Sequence, residues 1–208
     1  MTETEWLKAL EQRHGAELQQ KFSSACVAVC GLGGLGSNVA ISLARAGVGT
    51  LNLIDFDRVD ISNLHRQQYR ASQLGMYKTE AMKQTISEIT PYCNILTHTA
   101  KLTEENLSLI ADCSIICECF DNAECKAMLV NGVSERYPEK YIVAASGMSG
   151  LHTGNRIQTK RLGKRLYICG DGMSDVSDDG TLFAPRVMLC AAHQANTVLR
   201  IIAGKFEV

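Results

Sequence analysis

The residues of this sequence whose types and spacing can do chemistry fall into two segments about thirty residues apart, with a lysine and an acidic pair further on. The first segment is Gly31-Leu32-Gly33-Gly34-Leu35-Gly36, directly after the apolar run Cys26-Val27-Ala28-Val29-Cys30. The second is Asp55-Phe56-Asp57, followed by Ser62-Asn63-Leu64-His65-Arg66-Gln67-Gln68. Lys78 and Asp121-Asn122 come next. A turn of Gly31, Gly33, Gly34 and Gly36 lets backbone N–H groups approach a nucleotide, and a helix N-terminus after it favours negative charge. That signal alone fits NAD, FAD, S-adenosylmethionine or ATP, and a tight turn with no ligand competes with it. A carboxylate at Asp55, about twenty positions past the last glycine, suits the hydroxyls of a ribose in either NAD or ATP. Asp57 supports the same region or caps a turn. Arg66 and Lys78 discriminate, because a polyphosphate needs its charges offset and its leaving group held. Arginine offers a fork for two phosphate oxygens and lysine a point charge. An isolated basic residue is ordinarily a solvated surface charge, but the Asn63-Leu64-x-Arg66-Gln67 run is distinctive. Asp121 follows an apolar run, where a carboxylate beside a triphosphate is a natural Mg²⁺ ligand; capping the next helix is the competing role.

The elements that must position these groups are legible in the hydrophobic pattern. Residues 4–22 carry Trp6, Leu7, Leu10, Leu18 and Phe22 at partly helical spacing and predict one or two helices. A strand over 25–30, a helix over 35–46 stopped by Gly47 and Gly49, and a strand over 50–55 make one strand–helix–strand unit. A helix over 77–90 ends at Pro91, and Cys93 to Ala100 reads as a strand. Thr103 can cap a short helix through Ile110, without a full capping box because Asn106 is not a glutamate or glutamine. Ser114 to Cys119 is a strand, 123–136 a helix and Tyr141 to Ser146 a strand. This alternation predicts an α/β fold, with a Rossmann-like nucleotide-binding half and a mainly parallel sheet covered on both faces. Thr153 to Lys160 and Arg165 to Cys169 then extend it as an antiparallel hairpin. Gly170 to Gly180, rich in Asp, Ser and Gly, reads as a mobile loop. Pro185 to Ile202 is helical.

At 208 residues, with 46% hydrophobic and 21% charged residues, the chain is expected to be one domain over 1–208. Net charge is -1, and no basic tract marks a nucleic-acid surface; Lys160, Arg161, Lys164 and Arg165 on the hairpin read as a solvated face. No run of apolar residues is long enough for a membrane span, and the acidic start lacks a signal-peptide layout, so a cytoplasmic protein is expected. The nine cysteines include no Cys-x-x-Cys pair, which predicts no structural zinc and no disulfide framework.

On Gly31 to Gly36, Asp55-x-Asp57, Ser62-Asn63-Leu64-x-Arg66-Gln67, Lys78 and Asp121-Asn122, the sequence resembles the ThiF/MoeB/HesA family of ubiquitin-activating-like adenylyltransferases. The resemblance runs from about residue 10 onward. It implies that MgATP adenylates the C-terminal glycine of a small β-grasp sulfur carrier ending in Gly-Gly, with Gly34, Asp55, Asn63, Arg66, Lys78 and Asp121 as ATP contacts. Gln67 and Asn122 belong to the same matched motifs. It also implies a homodimer in which an N-terminal arginine reaches into the partner's site; Arg13 is the nearest match. Gly147-x-Ser149-Gly150, Gly170-Asp171-Gly172 and Ala184-Pro185-Arg186 most resemble the compact, zinc-free members of thiamine biosynthesis. The segment 171–182 would pass over the adenylate and guide the carrier's tail, ordering only when the carrier binds. It contains no cysteine, and the nearest, Cys169, reads as a strand residue rather than a nucleophile. A relative acting on molybdopterin synthase or on a modified tRNA adenosine, and an NAD-dependent oxidoreductase, are the competing readings.

Overall fold

Val27, Ala28, Val29 and Cys30 are all fully buried, which only a central strand covered on both faces allows. The computed structural model describes residues 1–208 and places that strand, β1 (Cys26–Cys30), at the centre of a seven-stranded sheet. The others are β2 (Thr50–Ile54), β3 (Asn94–His98), β4 (Ile115–Glu118), β5 (Tyr141–Ala145), β6 (Gln158–Leu162) and β7 (Leu166–Gly170). Their order is β3-β2-β1-β4-β5-β7-β6. Every neighbouring pair is parallel except β6 and β7, which form the expected antiparallel hairpin. The fold is therefore α/β and Rossmann-like. Its direction of travel reverses between β1 and β4, and in open sheets of this kind ligands bind in the crevice at the carboxyl ends of those strands.

Successive strand residues point to opposite faces, so the sheet builds two cores. Val27, Val29, Leu51, Leu53 and Val143 face a cluster of 29 buried residues completed by α3 (Gly34–Arg45), α4 (Lys78–Ile89) and α7 (Ala184–Ile202). Ala28, Cys30, Ile116 and Ile142 face a cluster of 11, covered by α5 (Ala123–Arg136) and a 3-10 segment over Glu104–Ile110. Two N-terminal helices, α1 (Glu3–His14) and α2 (Ala16–Ser24), pack against the turn between α3 and β2. There Gln19 Nε2 donates to Gly47 O at 3.3 Å.

Three local expectations change. The short helix after Thr103 is a 3-10 segment, kinked at Asn106, and only its missing capping box differs from expectation. Asn106 Oδ1 accepts from the Thr103 N–H at 2.8 Å, so the shorter amide makes the backward reach that was expected to be missing. The hairpin's first strand begins at Gln158, not Thr153, because Gly154–Arg156 close a 3-10 turn. Finally, the segment 171–182, read as a loop, includes a helical turn and a set of polar contacts. Asp171 Oδ1 accepts from the N–H groups of Met173 and Ser174 and from the Ser174 hydroxyl, while Oδ2 accepts from Arg186 Nη2 at 2.6 Å. Residues 176–179 form a helical turn, α6 (Val176–Asp179), and Asp179 pairs with His152 at 2.7 Å. Composition alone does not show that Asp171, Asp175 and Asp179 each accept from nearby backbone N–H groups.

Candidate active site

Gly31 leaves β1 with φ +90°, and a Cβ there would stand 2.8 Å from the Cys119 carbonyl oxygen. Only glycine lets the chain turn so close to the end of β4. The turn ends at the N-terminus of α3, and Gly31, Gly33 and Gly34 line a cavity of about 590 Å³ at the carboxyl ends of β1, β2, β4 and β5. Gly36, expected to touch the nucleotide, does not line it. A Cβ on Gly36 would lie 1.8 Å from Gly31 O, so this glycine lets the first turn of α3 pack against the loop instead.

Asp55 follows β2 and fastens this loop. Its Oδ2 accepts from the Leu32 N–H at 2.6 Å, and its Oδ1 from the Asp57 N–H at 2.7 Å. Burial pushes the carboxyl up from its ordinary range, opposed by the Lys78 ammonium and these two N–H donors. Each oxygen keeps a free lone pair for a sugar hydroxyl. Asp57 is more than a turn cap: its Oδ2 accepts from Lys78 Nζ at 2.9 Å. Lys78 opens α4, is only 6% exposed and lines the cavity, so its charge is held at the wall rather than in solvent.

The Asn63 to Gln68 run is sewn onto α3. Gln68 Nε2 donates to Asn38 Oδ1 at 2.8 Å, and its N–H donates to Ser37 Oγ at 3.2 Å. The Tyr69 hydroxyl donates to Leu32 O at 2.8 Å. This seam carries Asn63, Arg66 and Gln67 to the cavity wall. Asn63 Oδ1 already accepts from the Asp60 N–H at 3.1 Å. Arg66 Nη1 donates to Ser62 O at 3.2 Å, but its Nε is buried with no partner. Gln67 is 7% exposed, and its Oε1 likewise has none. Leaving a buried polar atom unpaired costs about 1–3 kcal/mol, and a bound ligand is one way to recover it.

Beyond β4, the two roles weighed for Asp121 separate. Asn122 caps α5, its Oδ1 accepting from the Cys125 N–H at 2.9 Å. Asp121 is exposed at the cavity rim and makes no hydrogen bond or ion pair with the protein. An unpaired carboxylate there fits the Mg²⁺ mode of one carboxylate plus phosphate oxygens. Nowhere do three His, Cys, Asp or Glu side chains converge on one point. Cys169 is fully buried in β7, as a strand residue. Arg13 lies on α1, outside the residues that line this cavity.

Sequence reasoning missed two functional neighbours. Glu118 is 1% exposed at the end of β4 and Lys126 lines the cavity from α5. Lys126 Nζ donates to both Glu118 oxygens, at 3.1 and 2.9 Å, and to Ala145 O at 3.1 Å. All three ammonium protons are used, tying β4, β5 and α5 together at the mouth of the site. Burial pushes the Glu118 carboxyl up, with Lys126 opposing. The signal was present: a glutamate inside Ile115-Ile116-Cys117-Glu118-Cys119 needs a cation.

The cavity thus joins a glycine turn, the Asp55 carboxylate and the basic side chains of Arg66, Lys78 and Lys126. The model of the ThiF family matches residues 8–208 of the chain. The adenylyltransferase and sulfurtransferase of Candida glabrata is 32% identical over 205 residues, covering 95% of this chain and 47% of that protein. The molybdopterin-synthase adenylyltransferase of Salmonella typhimurium is 32% identical over 194 residues, covering 90% of this chain and 76% of that protein. The chain spans about half the length of several curated relatives it matches. Among solved structures, E. coli tRNA N6-threonylcarbamoyladenosine dehydratase in complex with ATP superposes with a TM-score of 0.84 at 23% identity, over 96% of this chain and 94% of that one. That likeness is one of fold.

Proposed function

The chain belongs to the ThiF family, and from that premise we propose that it is an ATP-dependent adenylyltransferase acting on the C-terminal glycine carboxylate of a small sulfur carrier. The observation that carries this reading is the wall formed by Arg66 and Lys78 above the glycine turn, with Arg66 Nε and Gln67 Oε1 buried and unpartnered. A dinucleotide oxidoreductase has no use for two cations there. In this reading the glycine turn and the α3 N-terminus receive phosphate oxygens, and Asp55 receives the ribose hydroxyls. Asp121 would hold Mg²⁺, which would offset charge on the phosphates when bound. The carrier's carboxylate is already ionised at neutral pH, so no general base is needed. It attacks the α-phosphorus, a carboxyl oxygen–phosphorus bond forms, and pyrophosphate leaves with its charge offset by Arg66 and Lys78. Asp57 keeps Lys78 aligned until phosphate competes for it. Catalysis is therefore positioning and electrostatics.

The finer assignment moves away from thiamine biosynthesis. Relatives named molybdopterin-synthase adenylyltransferase favour a carrier of that kind as the acceptor. The tRNA reading gains nothing from the basic hairpin. Arg161 spends its guanidinium on Phe206 O and Lys164 O, and Arg165 lies over the Tyr141 ring at 4.7 Å. ATP–pyrophosphate exchange with candidate carriers ending in Gly-Gly tests the proposal. Exchange that depends on both ATP and one such carrier is expected; NAD binding without ATP binding in calorimetric titration would overturn it.

A further inference from the structure

Two cysteines meet at the end of the sheet remote from the cavity. Cys26 opens β1, and Cys113 sits in the turn that leads from the 3-10 segment into β4. β1 and β4 are adjacent parallel strands, with Val27 opposite Ile115. Cys26 lies one residue before Val27 and Cys113 two before Ile115, so the chain entering β4 brings the two side chains together across a sequence separation of 87, and the sulfurs lie 2.9 Å apart. No other pair among the nine cysteines has its sulfurs in contact. Adjacent strands are about 4.8 Å apart, and a disulfide bridges backbones at about that spacing without moving them.

We infer that Cys26 and Cys113 form a reversible disulfide, made by exchange with a low-molecular-weight disulfide such as oxidised glutathione.

The asymmetry of the pair sets the order of events. Cys26 is half-buried, whereas Cys113 is fully buried. A hydrogen bond from the Cys113 thiol pulls the Cys26 thiol below its ordinary range; burial and Asp112 oppose this, and Lys140 assists. Donating that bond, together with burial, drives the Cys113 thiol upward. Cys26 is accordingly the attacking thiolate. It attacks one sulfur of the glutathione disulfide, forming a mixed disulfide on Cys26 and releasing one glutathione thiolate. Cys113 then attacks the Cys26 sulfur, expels the second glutathione and gives up its proton to it. The protein loses two thiol hydrogens and two electrons, and one glutathione disulfide becomes two thiols. Lys140 Nζ, which donates to Cys113 O at 2.7 Å, holds the turn in place during the exchange.

The bond would join the foot of the strand that delivers the glycine turn to the foot of the strand that delivers Asp121. It closes a long loop, which restricts the unfolded chain far more than the folded one.

The test is direct. Reduced protein is incubated with oxidised glutathione, quenched in acid, unfolded, alkylated and mapped by mass spectrometry. The expected result is a mass loss of two hydrogens, two of the nine thiols unreactive, and one cross-linked peptide joining Cys26 to Cys113. Dithiothreitol should reverse all three. In Cys113→Ser the glutathione should remain as a stable adduct on Cys26. The oxidised wild type should melt roughly 10 °C higher than the reduced protein, from the loop closed. Nine reactive thiols after incubation, or a cross-link between a different pair, would overturn the inference. So would wild-type glutathione retained on Cys26, or a lower melting temperature on oxidation. None of these readouts depends on the adenylation reading.

Discussion

At the scale of single residues, the site is a set of cations and carboxylates whose partners are only partly supplied by the protein. Arg66 keeps a buried, unpaired Nε, and Lys78 is pinned by one carboxylate. Arg66→Ala and Lys78→Ala should each lower pyrophosphate exchange by about 10²–10³ while leaving the melting temperature nearly unchanged. Wild-type exchange in either variant would remove that residue from the proposed site. Asp171 makes a prediction about pH. Burial works against its ionisation, but donors from Ser174, Met173 and Arg186 together hold the carboxyl at about 2. A carboxyl depressed in the folded state stabilises it above the unfolded pKa and loses that contribution as pH falls. Here the window runs from about pH 4 down to about 2. The contribution is roughly 2 kcal/mol at neutral pH. Asp171→Asn should therefore be less stable at pH 7, and the gap should narrow below about pH 4 and close only as pH falls through about 2 in denaturant titrations; a gap that does not narrow across that window would assign the loss to packing. The ligand-facing residues were readable in the sequence because Arg66, Lys78 and Asp55 sit in short, unusual runs. Lys126 and the orphaned Gln67 oxygen were not, because what matters about them is what they do or do not touch across the fold.

At the scale of elements, two of the four glycines in the turn do different work. Gly31 supplies a left-handed backbone and Gly36 supplies close packing. Gly36→Ala should destabilise the whole protein by several kilocalories per mole, because the new Cβ meets backbone that cannot yield. Thermal melting checks this; a melting temperature within about 2 °C of wild type would mean that α3 shifts freely against its loop. The alternation of strands and helices was legible through β5 because β1, β2, β4 and β5 are apolar enough to be buried on both faces, and the edge strand β3 still stands between clear breaks in the pattern. The boundaries blurred where hydrogen bonding overrides hydrophobic pattern. Asn106 closed the capping box that was expected to be missing, and Thr153 closed a turn where a strand was expected. The contacts around Asp171 were not readable for the same reason. Its order comes from side-chain oxygens bonded to nearby N–H groups, which carry no periodicity.

At the scale of the whole molecule, a homodimer is proposed from the family resemblance, with Arg13 donated to the partner's site. The apolar residues of α1 add little to that motive. Leu10 is buried within its own chain beside Gly47, and Trp6 and Leu7 are half-buried. Light scattering at micromolar concentration should give twice the chain mass; a fully active monomer would exclude the arrangement. No helix is long and apolar enough to cross a membrane. The two faces of the sheet also differ in what holds them. The α3, α4 and α7 face rests on 29 buried residues, the α5 face on 11. Cooperative units with less buried surface open at lower free energy. Amides of α5 should exchange with deuterium sooner than those of α3, and equal rates would show one unit. The two walls of the cavity would then differ in rigidity. The glycine turn and Asp55 would form the firmer jaw, and Asp121, Asn122 and Lys126 would ride on the one that loosens first.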